Sequence, residues 1–400
     1  MRNDPFERWN LTRIINASGT MTSLGASRVP AEIRELVDHI LDSFVDIDEL
    51  QSRASAIIAR LTGAQAGCVT ACSAAAMTQS VAACLTESDL ARIEKLPMCD
   101  GERRVILPMG HMVNYGAPVD QTIRLAGAHV VPIGTAAQCE TWHLRQALED
   151  GAAAAMYVVS HHTVRENELP LDLFIELCQQ HAVPVIVDMA AEYDLRGPVA
   201  LGASLVIHSG HKFLGGVTSG IVAGTADLVR AAYLQHRGIA RTMKVGKEGI
   251  VGAMAALERF EQLDHDAHRD RENARIDRWT RTLADVPGLH LTHLADWTGN
   301  PVTRIRVRVD AQVARAYAWE LRDRLAARTP RIIVRDDLIE HGEFHLDPCN
   351  LNDDEADMVA EAIRAEAEDF RRNGTGLQRS WSVVKRDRER QILKWNSPVA

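Results

Sequence analysis

Between about residue 65 and residue 225 the chain alternates short apolar runs with longer amphipathic ones, and that rhythm leaves few folds open. The apolar runs stand at Ala66–Thr70, Val105–Leu107, Val130–Ile133, Ala154–Val159, Val183–Val187, Ser204–His208 and Gly220–Ala223. Helical periodicity fills intervals between them at Ala74–Leu85, Thr141–Glu149 and Leu171–His181. Apolar runs that do not alternate with polar residues are strands covered on both faces. Strand–helix alternation makes the crossovers parallel. The expectation is an α/β domain: a mostly parallel seven-stranded sheet with helices on both faces. Ligands of such sheets collect at the carboxyl ends of the strands.

At 400 residues the chain exceeds one hydrophobic core. Two helical segments, 31–43 and 47–61, precede the sheet, and an irregular lead precedes them. A long helical run covers 247–283. A smaller α+β region follows, with strands at Leu289–His293, Thr303–Val309, Arg331–Val334 and Glu343–Leu346 and helices at Ala311–Leu325 and Asp353–Phe370. The expected division is an N-terminal arm with helices (1–60), a large domain (61–250), a linking helix (251–285), a small domain (286–372) and a basic tail (373–400).

Two polar residues end apolar strands in a telling order. Asp188 closes Val183–Val187, and Lys212 follows Ser204–His208 in the turn Ser209-Gly210-His211-Lys212-Phe213-Leu214-Gly215-Gly216. A carboxylate at the end of a buried strand is costly unless paired. A lysine between an apolar strand and Phe-Leu-Gly-Gly is poorly placed for solvent. Together they suit pyridoxal 5'-phosphate (PLP): the lysine forms a Schiff base with the aldehyde, and the acid keeps the pyridine nitrogen protonated. The helix that opens at Ser73-Ala74-Ala75 directly after a strand offers free N–H groups to the phosphate. Ser209 and His211 flank the lysine as further cofactor contacts. His111, past another strand end, is the expected ring over the pyridine face, with Tyr115 second. Arg335, at the end of a strand in the second region, is a candidate for a substrate carboxylate. Lys247, in a basic segment with Arg241 and Lys244, is a candidate for a phosphate. No metal is expected, because the His161–His162 pair lacks matching ligands at metal spacing.

Bulk properties narrow the partners. The net charge of −9 argues against a general nucleic-acid binder. Between Arg371 and Lys394, however, eight basic side chains face two acidic ones, as in a solvated helix or a subunit contact. Seven cysteines without a CxxC pair read as free thiols of a reducing compartment. No signal peptide and no membrane span are visible, so the expected location is the cytoplasm. The expected partner is a small amino acid, handled by a homodimer or higher homo-oligomer with shared active sites.

Four motifs carry a resemblance: Ile15-Asn16-Ala17-Ser18-Gly19, Leu61-Thr62-Gly63-Ala64-Gln65-Ala66, the Lys212 turn, and Val245-Gly246-Lys247-Glu248. Over roughly residues 10–370 the chain resembles the bacterial selenocysteine synthase family, most closely its short D-glucosaminate-6-phosphate ammonia-lyase group. The resemblance implies an aspartate-aminotransferase-like (PLP fold type I) architecture and a substrate-binding role for Asn16. It implies an arginine where Cys349 stands here. The chain lacks room for an added tRNA-binding domain, so a tRNA substrate is not expected. The function expected is α,β-elimination on a small hydroxy amino acid or amino sugar acid, with release of ammonia and a 2-keto acid. Racemisation or epimerisation, transamination and β-replacement share the same carbanion and stay open.

Overall fold

The computed structural model describes residues 4–395; residues 1–3 of the expected arm and 396–400 of the expected tail lie outside the described residues. The chain forms two compact units. One is Ser27–Leu263; the other joins the chain up to Ala26 with Asp264 onward.

The first unit is built on a seven-stranded sheet in the order Ala66–Thr70, Gly220–Gly224, Leu205–Ser209, Val185–Asp188, Ala154–Val158, Arg104–Pro108, His129–Ile133. Six strands run in one direction, and Gly220–Gly224 alone of the seven runs antiparallel to both neighbours. The reversal has a simple cause: the ten residues between Ser209 and Gly220 are too few for a parallel crossover. Four central strands are buried at every position. The edge strand His129–Ile133 is half exposed and carries Pro132, which only an edge tolerates. One sheet face packs Val105, Leu107, Ile186, Leu205 and Ile207 against the helix Ser73–Thr86. The other packs Ile106, Tyr157, Val187 and Val206 against the helices Thr141–Glu149 and Leu171–Gln180. Helices Ala31–Leu41, Ile47–Thr62 and Lys247–Gln262 pack together over the strands that carry Val69 and Ile221.

The second unit holds a three-stranded antiparallel sheet, Glu343–Leu346, Thr303–Val309 and Leu289–Ala295. Its core centres on Trp279, Ile305, Val307, Phe344 and Phe370, and the Trp279 indole N–H donates to the Ala356 carbonyl at 2.8 Å. The irregular lead is a strand here: Ile14–Ala17 pairs in parallel with Arg331–Val334. Residues 1–60 are therefore not one arm, since the lead joins the second unit and the two helices join the first. Nor is there a single linking helix. The run breaks after Gln262, and the Asp264 carboxylate caps a new helix, His265–Leu283, by accepting from the Ala267 amide at 2.9 Å. The expected helix Ala311–Leu325 is likewise two, Ala311–Ala314 and Ala318–Ala326, parted by Arg315 in the left-handed region.

The basic tail is a helix, Trp381–Leu393, anchored to the second unit. The buried Glu320 carboxylate accepts the amides of Leu377, Gln378 and Arg379 at 2.8, 2.8 and 3.2 Å. The Trp319 indole donates to the Arg379 carbonyl, and Val384 is buried. The carboxylate also accepts the Tyr317 amide at 3.0 Å, so removing it strands four amides, and Glu320→Ala is expected to cost about 1–3 kcal/mol. Limited proteolysis should show faster cutting near residues 377–380. No helix among the described residues is long and apolar enough to cross a membrane.

Candidate active site

The sheet of the first unit brings four chain segments to one carboxyl edge. Thr70 pairs with Gly220, Gly220 with Ser209, and Ile207 with Asp188. The helix start after Thr70, the Lys212 turn after Ser209 and the Asp188 carboxylate thus line up across neighbouring strands. Val158 pairs with Asp188 on the far side.

Asp188 is buried at 7% exposure, and its carboxylate accepts the Ala190 amide at 3.1 Å. Burial pushes its carboxyl up to about 6, against the pull of the Lys212 charge and the Ala190 N–H. Lys212 and the Ala190 N–H do not fully offset the burial, and a further N–H donor would stabilise the carboxylate. Lys212 sits in a turn closed by the Gly215 amide donating to the Lys212 carbonyl at 3.0 Å. Gly215 takes a φ of +71°, which a side chain would strain. The Gly216 amide bonds the Gly210 carbonyl at 2.8 Å, and the Gly210 amide bonds the Ser219 carbonyl at 2.9 Å. Ser209 Oγ and His211 Nδ1 share a hydrogen bond of 3.0 Å, both side chains being buried. Burial and then the Lys212 charge hold the His211 imidazole below its ordinary value, so it is neutral at pH 7.

The helix Ser73–Thr86 begins with Cys72 as its cap, whose Sγ accepts the Ala75 amide at 3.4 Å. The amides of Ser73 and Ala74 open the helix and have no acceptor among the described residues. No acid occupies the first turn, so the positive end of the helix is not neutralised from within. Gly220 lets this helix start approach: a Cβ there would lie 2.4 Å from the Cys72 carbonyl carbon and oxygen. Gly220→Ala is expected to displace the Cys72 backbone at a cost of about 1–3 kcal/mol. A titration of the purified variant with PLP should show weaker binding than wild type.

These groups fit PLP. The open Ser73 and Ala74 amides suit the phosphate, Asp188 the ring nitrogen and Lys212 the aldehyde; Ser209 and His211 adjoin the lysine, and the expected Ala75 amide is taken by the Cys72 cap. Tyr115 belongs with them. Its hydroxyl bonds Thr122 Oγ1, and burial, with added repulsion from Asp188 and Cys72, pushes it above its ordinary value. Tyr115 is therefore within electrostatic reach of Asp188. Tyr115 is the second candidate for the ring face; nothing in the spacing of Cys72 marks it out, and cysteine is not among the usual helix caps.

Other expected residues have different company. His111 is 1% exposed and enclosed by protein, with its ring edge-on to Tyr157 at 4.3 Å. Tyr157 and Val158 point to opposite faces of the sheet, and Asp188 shares the face of its partner Val158. The expected stacking of His111 over the cofactor is thus not what its surroundings favour. Lys247 donates to the carbonyls of Leu41, at 3.0 Å, and Ser43, and so caps the helix Ala31–Leu41 instead of presenting its charge to a phosphate. In the second unit, Asn16 is spent on its own turn: Oδ1 accepts from the Ser18 amide and hydroxyl, and Nδ2 donates to the Gly19 carbonyl. The Cys349 amide donates to Asp347. Arg335 is 8% exposed and donates through Nε to Asp337 at 2.8 Å. Its two terminal nitrogens have no hydrogen-bond acceptor among the described residues, which leaves the fork that a carboxylate or phosphate would take.

Residues 14–274 match the family model described as L-seryl-tRNA selenium transferase. The D-glucosaminate-6-phosphate ammonia lyase of Salmonella typhimurium is 36% identical over 91% of this chain and 98% of its own. A solved structure of D-glucosaminate-6-phosphate ammonia-lyase superposes with a TM-score of 0.83 at 36% identity, over 92% of this chain and 99% of that one. A 5'-C-glycyluridine monooxygenase-decarboxylase from a Streptomyces species is 32% identical over 93% of this chain and 94% of its own. An aspartate aminotransferase from Thermus thermophilus shares the fold at a TM-score of 0.54 and 14% identity, over 90% of this chain and 93% of that one. The chain belongs to the L-seryl-tRNA selenium transferase family and is a pyridoxal phosphate-dependent enzyme with the aspartate-aminotransferase-like fold.

Proposed function

We propose that this chain is an ammonia-lyase that carries out α,β-elimination on a β-hydroxy amino acid or amino sugar acid. The observation that carries the chemistry is the under-compensated Asp188 carboxylate beside Lys212 at the carboxyl edge of the sheet. The end-to-end likeness to D-glucosaminate-6-phosphate ammonia lyase supports the choice of reaction and of substrate class.

When bound, PLP supplies an electron sink for negative charge at the substrate Cα. Lys212 Nζ would hold the cofactor and would take the Cα proton of the bound substrate. Asp188 would keep the ring nitrogen protonated. The open Ser73 and Ala74 amides would hold the phosphate end, so that Lys212 and Asp188 would keep their relation to the ring. The neutral His211 adds no positive charge beside Lys212. In the other unit, the open fork of Arg335 is the proposed receptor for an acid group. The overall change removes the Cα hydrogen and the β-hydroxyl as water; hydrolysis of the resulting enamine returns water and releases ammonia and a 2-keto acid.

Incubation of the holoenzyme with D-glucosaminate 6-phosphate and a panel of β-hydroxy amino acids is expected to release ammonia and keto acid in equal amounts. Exchange of the Cα hydrogen in deuterated water without ammonia would instead mark a racemase or epimerase. Oxygen uptake with release of carbon dioxide would align the chain with its 32%-identical relative.

A further inference from the structure

His111 and Glu168 lie 57 positions apart, outside the groups assigned to the cofactor, yet they meet under the end of the strand next to Asp188. The Val158 amide, the last of its strand, donates to His111 Nδ1 at 3.2 Å. Val158 is the register partner of Asp188, and the next amide, Val159, donates to the Asp188 carbonyl at 2.9 Å. The strand end that His111 holds is therefore the one that holds Asp188 from that side.

An imidazole that accepts at Nδ1 carries its proton at Nε2. That Nε2 is buried without a hydrogen-bond partner and faces Glu168 Oε2 at 3.6 Å. The opposite oxygen of Glu168 accepts from Arg165 Nε at 2.9 Å. Burial raises the Glu168 carboxyl, but His111 and Arg165 outweigh it and hold the group below its ordinary value, so it is charged at neutral pH. A fixed negative charge opposite Nε2 favours the proton there and leaves Nδ1 as the acceptor. Tyr157 completes the clamp: its ring meets His111 edge-on, and its hydroxyl donates to the Leu169 carbonyl, one residue beyond Glu168.

We propose that His111 and Glu168 are a positioning pair that sets the end of the strand Ala154–Val158, and through it the Asp188 carboxylate, for the cofactor ring nitrogen. This rests on the assignment of Asp188 given above. Glu168, Arg165 and Tyr157 surround the imidazole, while Lys212 and Tyr115 are the ionisable groups that act on Asp188. His111 acts through the backbone and is not a catalytic residue.

Asparagine can place Oδ1 where Nδ1 stands, whereas leucine offers the Val158 amide nothing. His111→Leu is expected to raise the dissociation constant for PLP about tenfold, the cost of a buried amide left unpaired. It should also shift the pH midpoint of the visible absorption band of the reconstituted protein. His111→Asn should stay within about threefold of wild type with the midpoint unmoved. A purely structural histidine would lower the melting temperature in both variants and leave affinity and midpoint alone, which would overturn the proposal. So would an asparagine variant as impaired as the leucine one. If His111→Leu does not fold, Glu168→Leu carries the test: a shifted midpoint with His111 intact is expected, and an unchanged one overturns the pair. If wild type itself binds no PLP, the assignment of Asp188 fails along with this proposal; if wild type binds and His111→Leu binds equally well, only the positioning pair fails.

Discussion

Lys212→Ala is expected to fold and to lose both its covalent hold on PLP and its lyase activity. The fold should survive because the turn around Lys212 uses its backbone carbonyl, not its side chain, in the bond from Gly215. The visible absorption band should be absent after dialysis. Elimination should fall by at least about 10³-fold, since one side chain is asked both to hold the cofactor and to move the Cα proton. A variant that keeps the band and a substantial rate would move the covalent role to another residue.

Asp188→Asn is expected to make the cofactor-free protein more stable at neutral pH while removing its activity. The carboxyl titrates near 6 in the folded chain against an ordinary 3.8. Between those values the folded state holds a proton that the unfolded state has lost, so stability falls as pH rises from about 4 to 6 and stays low above it. A shift of about two units corresponds to roughly 3 kcal/mol, which the neutral amide would recover at pH 7 and not at pH 4. His208 works in the opposite direction. It is fully buried, and burial pulls its imidazole down to about 4. The unfolded chain gains a proton there below about 6.5, so stability falls as pH drops through the same window. In wild type the two trends offset each other; in Asp188→Asn the loss of stability on acidification should stand out. Melting curves of wild type and variant between pH 4 and 7 check this. With PLP bound the order should reverse, because the ring N–H compensates the carboxylate and asparagine does not.

Much of the first unit was legible because each strand is a contiguous apolar run and the residues that end two of them are polar. Lys212 and Asp188 could be found that way, since burial at a strand end leaves few other uses for a charge. Long-range pairing was not legible. The strand Ile14–Ala17 has four residues and a partner more than 300 positions away, so its local pattern reads as an irregular lead. The break at Asp264 was hidden by helical periodicity on both sides, although an aspartate three residues before a capped amide marks it. The site shows the same divide. Asn16 and Lys247 sit in motifs that suggest a ligand, but local carbonyl and hydroxyl groups engage them. Tyr115, Cys72 and Glu168 acquire their surroundings only when separate loops meet at the carboxyl edge of the sheet.

The central claim is that Lys212 bonds PLP at an edge where Asp188 meets the ring nitrogen. The most direct measurement is borohydride reduction of the holoenzyme, followed by proteolysis and peptide mass spectrometry. The pyridoxyl group is expected on the peptide that contains Lys212 and on no other, with the same peptide unmodified when reduction is omitted. A pyridoxyl group on a different lysine, or none on any peptide from protein that shows the visible band, would contradict the account.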